Sequence, residues 1–274
     1  MLNAIFKYEF LQNAVLTAIL ASIVCGIIGV IIVQKKLIMM SGGIAHTAYG
    51  GVGLAYLLGL EPMLGAVVFS LLASFGLGFI KRRNKENSEV ALGIFWSLGM
   101  AIGILSVSLS SGYPPDMNSY LFGNILSVTR SNIKVILILA IITSIIIFTF
   151  YPFWKTYLFD ETFAQIKGMP VVFMEYLLLV LVAITVVILI KVVGIMLIIA
   201  LLTVPAVSAS LITKKLSARM VLASIFGTIY SLLGLYFSYI LDIPSGATII
   251  IVSVLGYGAI YLISKICKLS TKTA

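Results

Sequence analysis

Long apolar runs follow one another along almost the whole chain, and short polar breaks separate them. A helix needs about 20 predominantly apolar residues to cross a bilayer, so the run lengths can be read as spans. Residues 1–13 are mixed and read as an interfacial lead-in. Residues 11–33 form the first span, ended by Gln34-Lys35-Lys36. Residues 37–60 form the second, closed by the turn Gly59-Leu60-Glu61-Pro62. Residues 63–80 lead to the basic cluster 81–86, and residues 90–109 lead to the loop 110–116. Residues 120–126 are too short to span and should lie at the interface or re-enter. Residues 133–150 make a further span, followed by a more polar segment, 154–169. Residues 171–212 are one apolar block broken by Lys191 and Gly194, read either as two spans or as one span and a re-entrant half-helix. Residues 220–241 and 247–263 close the series through Asp242-Ile243-Pro244-Ser245-Gly246. The pattern predicts an all-α polytopic integral membrane protein with eight or nine transmembrane helices.

Composition agrees with that pattern. Hydrophobic residues make up 61% of the 274 and charged residues 10%, against about 25% charged in soluble domains. No polar stretch is long enough for a separate soluble domain, so residues 1–274 read as a single transmembrane domain. No cleavable signal peptide is expected, because residues 11–33 are long enough to remain as a span. The net charge of +9 would suit nucleic acid, but its placement argues against that partner. Lys35, Lys36, Lys81, Arg82, Arg83, Lys85, Lys155, Lys167, Lys214, Lys215, Arg219, Lys265, Lys268 and Lys272 fall on one side of the spans. Lys7, Arg130, Lys134 and Lys191 fall on the other or at an interface. The positive-inside rule makes the richer side cytoplasmic. The expectation is a multi-pass protein of the cell membrane, set in the lipid bilayer, with a cytoplasmic C-terminus. Cys25 and Cys267 have no CxxC spacing and read as apolar filler and a tail thiol.

Candidate chemistry is sparse. There is no GxxxxGK[ST] phosphate loop, and a single histidine excludes HExxH. That histidine, His46, lies in Met40-Ser41-Gly42-Gly43-Ile44-Ala45-His46-Thr47-Ala48-Tyr49-Gly50-Gly51-Val52-Gly53. Residues four apart share a helix face, so Gly42, His46 and Gly50 form one stripe, with Tyr49 and Gly53 beside it. Glycine weakens a helix, and a run of it points to close backbone approach. The stripe is either a transport pathway or a packing seam. Ser41, five residues from His46, lies on another face, which speaks against a serine nucleophile. Pro205 should break or kink its helix. Glu61, Asp116 and Asp242 are expected outside, Glu175 at an interface, and Arg130 and Lys134 where a partner's acids could pair with them. Asp160-Glu161-Thr162-Phe163-Ala164-Gln165-Ile166-Lys167-Gly168-Met169-Pro170 reads as a short cytoplasmic helix. Thr162 and Gln165 have capping-box spacing, and Gly168 with Pro170 is a stop signal. Such a helix suits a groove on a partner.

Five stretches resemble the permease subunits of ABC-type zinc/manganese/iron importers. Residues 41–51 resemble the family's "GD-x-x-x-HA" motif with its trailing glycines. Tyr120-Leu121-Phe122-Gly123-Asn124-Ile125-Leu126 resembles "YLFGD-x-L". Residues 160–170 resemble "D-x-x-x-A-x-x-x-G-x-P", residues 193–206 "VG-x-L-L…LL-x-x-PA", and residues 242–248 "D-x-PSGA". The order matches from about residue 11 to 265. The resemblance implies a type II ABC importer-like permease that is itself no enzyme and holds no cofactor. It implies a second permease protomer, a cytoplasmic ATPase subunit that binds the ATP, and an extracytoplasmic metal-binding protein. It makes residues 160–169 the coupling helix to the ATPase, His46 a transient metal ligand, and Gly42, Tyr49, Gly50 and Pro205 pathway lining. Two positions depart from the family pattern. Gly42 stands where an aspartate is usual, and Asn124 where "YLFGD" has its aspartate. Fewer carboxylates favour zinc over manganese or iron as the transported ion, and a permissive passage over a tight site. The rival readings are a permease for a siderophore or vitamin B12-like chelate, a secondary transporter, which should show inverted repeats with buried acids, and a membrane scaffold.

Overall fold

The computed structural model describes residues 7–83, 88–110 and 117–270, and every regular element among them is helical. Backbone groups in hydrocarbon must be satisfied within their own segment, which is what makes apolar runs helical. In chain order the helices are α1 (Glu9–Gln34), α2 (Ile38–Leu57), α3 (Pro62–Arg83), α4 (Ser88–Leu109) and the short α5 (Met117–Phe122). A 3₁₀ turn, Ile125–Ser127, precedes α6 (Arg130–Thr149), α7 (Tyr151–Phe159) and α8 (Glu161–Ile166). The last four are α9 (Val171–Val193), α10 (Ile195–Ile212), α11 (Leu216–Leu241) and α12 (Ser245–Ser270).

Among the described residues, eight helices are long and apolar enough to cross a membrane: α1, α3, α4, α6, α9, α10, α11 and α12. The choice between eight and nine spans therefore turns on α2. Its 20 residues extend about 30 Å at 1.5 Å per residue, but glycines and hydroxyls dilute its apolar character. Burial compensates, since every residue from 40 to 53 is buried within the protein. A helix enclosed by other helices need not resemble lipid on its surface.

The apolar block 171–212 is two helices, not one span with a half-helix, and each is long enough to cross. They meet at Gly194, whose φ of +82° suits only glycine. Gly123, at φ +75°, faces it so closely that a Cβ on either residue would overlap the other's backbone. Met117–Phe122 is a short helix and Ile125–Ser127 a 3₁₀ turn, so residues 120–126, expected to be too short to span, contain no spanning helix. The expected break at Pro205 does not occur, and α10 runs through it. One missing backbone donor is absorbed by the helical turns on either side.

The chain forms two compact units, each drawn from separated stretches. The first comprises Met1–Gln34, Asn124–Ile147 and Met196–Ala274. In it α11 packs on α1 and α12. Gly26 gives room to Ser224 and Gly29 to the Leu202 backbone, so small residues bring the backbones together where apolar area alone gives no preference over lipid. The second unit comprises Lys35–Gly123 and Phe148–Ile195, with α2 packed on α3, α4 and α9, and α9 on α3.

Candidate functional site

The stripe on α2 is a seam against α4. A Cβ on Gly50 would lie 2.5 Å from the Gly99 carbonyl oxygen. A Cβ on Gly53 would meet the Gly103 backbone in the same way. Conversely, a Cβ on Gly99 would lie 2.7 Å from the His46 carbonyl oxygen, and one on Gly103 would lie 2.7 Å from the Tyr49 ring. The adjacent face is equally close, because Gly51 and Gly65 leave room for each other's backbone where α2 meets α3. Of the residues expected to line a pathway, Gly50 and Tyr49 therefore lie inside this seam, and Gly42 is buried on the same helix. Pro205 belongs to the other unit, where it packs beside Gly227.

His46 is held in the seam at 2% exposure. Its ring stacks on Trp96 with centroids 4.0 Å apart, and Nδ1 lies 3.2 Å from the Met100 sulfur. Trp96 and Met100 are four residues apart on α4, so one face of that helix presents both. Nε2 is buried and has no partner. A proton on Nδ1 would point to the thioether and leave the Nε2 lone pair free to meet a cation. Imidazole and thioether are borderline-to-soft donors. No group of three or more His, Cys, Asp or Glu side chains converges among the described residues. The sequence pointed to His46 through its rarity. Nothing in the spacing along α2 pointed to Trp96 or Met100, which lie about 50 residues further on.

The segment expected as a helix over residues 160–169 is shorter than that. Helix α8 covers Glu161–Ile166, and Lys167-Gly168-Met169 is its exit turn, with Gly168 at φ +72°. The expected capping box of Thr162 and Gln165 is not made. Asp160 is the N-cap, and its carboxylate accepts from the amides of Thr162 at 2.8 Å and Phe163 at 3.1 Å. An aspartate one residue before the first turn reaches those amides directly, which leaves Thr162 inside the helix. Ala164 is fully buried, whereas Ile166 is 79% exposed and Phe163 is also exposed. The preceding segment is more apolar than its composition predicts. In α7 the side chains of Trp154, Tyr157 and Leu158, spaced three and four apart, are buried.

Acids and bases meet at the end of this unit that carries Lys35, Lys81 and Arg82. Glu175 is 3% exposed, and both of its oxygens are occupied. Oε1 accepts from Lys81 Nζ at 2.5 Å and Oε2 from Arg82 Nη1 at 3.0 Å. The interfacial position expected for Glu175 is thus an enclosed one. Lys35 Nζ donates to Glu161 Oε2 at 2.9 Å and stands 3.6 Å from the centroid of the Tyr157 ring. Burial, and then the nearby Glu175 and Glu161 carboxylates, push the Tyr157 phenol well above its ordinary pKa, so it stays neutral. These groups surround a polar cleft of about 350 Å³ lined by Lys35, Lys81, Arg82, Glu161, Gln165 and Glu175. In the first unit, Arg130 pairs with Glu9 at 2.7 Å, both exposed. Asp116, also considered above, lies outside the described residues.

Residues 7–268 match the model of the ABC 3 transport family. The chain is 39% identical, over 92% of its length and 89% of that protein's, to an uncharacterized membrane protein of Synechocystis sp.. It is 36% identical to the manganese transport system membrane protein MntC of Listeria monocytogenes, over 92% of this chain and 90% of that one. A solved structure of PsaBC from Streptococcus pneumoniae in complex with Fab superposes with a TM-score of 0.84 at 34% identity. It covers 96% of this chain and 93% of that chain.

Proposed function

The chain belongs to the ABC 3 transport family, and we propose that it is the permease subunit of an importer for a divalent transition metal. The observation that carries this reading is the near-complete match, in sequence and fold, to proteins of which one is named for manganese transport. Manganese is the first ion to test. The zinc preference expected from Gly42 and Asn124 rests on donor chemistry alone, and the relative from Listeria monocytogenes is named for manganese transport.

In this proposal the whole chain acts as one permease domain beside a second protomer in the cell membrane. The end of the second unit that bears Lys35, Lys81 and Arg82 faces the cytoplasm, and the basic tail of the sequence makes the C-terminus cytoplasmic too. A separate ATPase docks on α8 and its exit turn, and an extracytoplasmic metal-binding protein delivers the ion. Motion of α8 opens the α2–α4 seam, and the ion passes His46, which offers Nε2 as a weak, short-lived ligand. One imidazole without neighbouring carboxylates releases its ion readily, as a passage requires. Manganese-, zinc- and iron-limited growth of a deletion strain, rescued by the wild-type chain or by His46→Ala, tests the assignment. Rescue by the wild type under manganese limitation is expected. Absence of rescue under all three limitations would sink the import reading, and rescue under zinc limitation alone would restore the zinc assignment.

A further inference from the structure

Besides its chain link to α7 through Asp160 and its buried Ala164, helix α8 is tied to the rest of its unit by two further connections. The first is covalent and runs through Gly168 and Pro170 into α9. There Glu175, one turn inside the helix, grips Lys81 and Arg82 at the end of α3. The same joint is packed so closely that a Cβ on Gly78 would lie 2.8 Å from the Tyr176 ring. The ends of α3 and α9 are therefore one rigid piece, because an apolar contact and a double ion pair both hold them.

The second connection is ionic. Glu161, the first residue of α8, accepts from Lys35 at 2.9 Å. Lys35 sits in the tight turn between α1 and α2, only three residues before α2 begins, and its neighbour Lys36 has the positive φ of +56°. The lysine is further held by the Tyr157 ring and by the Tyr157 carbonyl at 3.4 Å. Tyr157 itself is 1% exposed, so the ring is a fixed surface. The side chain of Lys35 is 12% exposed and that of Glu161 is 40% exposed. The lysine is the shielded member of the pair, and Glu161 is the open one, facing the polar cleft that it lines together with Lys81, Arg82 and Glu175.

We infer that the Lys35–Glu161 pair is the link through which a movement of α8 is delivered to α2, with Tyr157 as the platform and Glu175 as the fixed anchor beside it. This inference rests on the coupling role proposed for α8. The geometry separates the two connections by function. At the Glu175 joint the carboxylate is 3% exposed, doubly paired and backed by the close Gly78–Tyr176 contact, and the joint moves as a block. At the Lys35 joint the carboxylate of Glu161 is 40% exposed, and the joint leads directly into the helix that carries His46. Lys35 and Glu161 are positioning residues: they touch neither metal nor nucleotide and act by setting where α2 goes.

The test uses the assembled transporter in proteoliposomes, with metal uptake and ATP hydrolysis measured together. Lys35→Met and Glu161→Gln should each raise the ATP hydrolysed per ion imported several-fold. The double variant should be no worse than the poorer single, since both remove one interaction. Lys35→Arg keeps a cation over the ring and should restore the wild-type ratio. A purely structural role would lower uptake and hydrolysis in parallel and leave the ratio unchanged, which would overturn the inference. Multiplying effects in the double variant would also overturn it. If Lys35→Met does not assemble, Glu161→Gln, on the more exposed partner, gives the same ratio measurement. The underlying coupling role is tested apart from this, by Gly168→Val and Ala164→Leu. If those leave ATPase binding and uptake intact, the coupling role fails. If they impair both while Lys35→Met and Glu161→Gln change nothing, only the ionic link fails.

Discussion

Glu175 holds a carboxylate almost out of contact with solvent, and two cations from one helix end make that tolerable. Removing one partner of a buried pair costs about 3–5 kcal/mol because the other charge is stranded. Here Lys81 is 23% and Arg82 34% exposed, so water can take up part of the loss. Glu175→Gln should therefore destabilise the protein by about 2–3 kcal/mol, seen as a thermal midpoint lower by roughly 5 °C in detergent. A shift below about 1 °C would mean that the pair makes no net contribution. The glycines divide along similar lines. Gly50→Val would drive a side chain into the Gly99 backbone, and such overpacking costs about 1–3 kcal/mol or more. Gly93 has nothing within 4 Å of its missing Cβ, so Gly93→Ala should be neutral or slightly stabilising. Melting both variants side by side checks whether the seam, not glycine itself, is what matters.

Helix α8 is too short to be stable in isolation, and its ends decide whether it forms. Asp160→Ala removes the acceptor for two amides and should cost about 1 kcal/mol. Amides of residues 162–166 should then exchange with deuterium roughly five-fold faster, measured by mass spectrometry of peptides covering α8. Unchanged exchange would place the stability of the helix in Ala164 packing instead. The N-cap was hard to read from sequence because Asp160 and Thr162 both offer a side-chain oxygen at suitable spacing, and only the backbone angles choose between them. The exit was legible, since Gly168 supplies a positive φ that other residues resist. The burial of Trp154, Tyr157 and Leu158 shows a helix face whose spacing is plain once the helix is known, although lysine and threonine between them made the segment look polar. Glu175 was illegible for another reason. Its partners stand 93 and 94 residues away, and no local pattern carries that distance.

At the scale of the molecule, run length set the spans, because hydrocarbon thickness leaves little choice of helix length. The division into two interleaved units was not legible, since it depends on which helices share small-residue contacts across the sequence. The α2–α4 seam lies wholly within the second unit, and it raises the question of whether His46 is a ligand or a filler. Trp96 and Met100 allow the two to be separated. Met100→Leu keeps volume and apolar character, a change that costs under about 1.5 kcal/mol in a packed core, and it removes only the thioether. Manganese is a hard ion with little affinity for sulfur, so manganese uptake by Met100→Leu should stay within about two-fold of wild type. His46→Ala removes the nitrogen donor and should lower uptake at least about ten-fold, the equivalent of roughly 1.4 kcal/mol. Uptake kinetics of both variants, at matched amounts of protein in the membrane, give the comparison. Equal losses would make the His46–Trp96–Met100 group a packing block. A loss in Met100→Leu for zinc but not for manganese would show a passage in which the sulfur selects between ions.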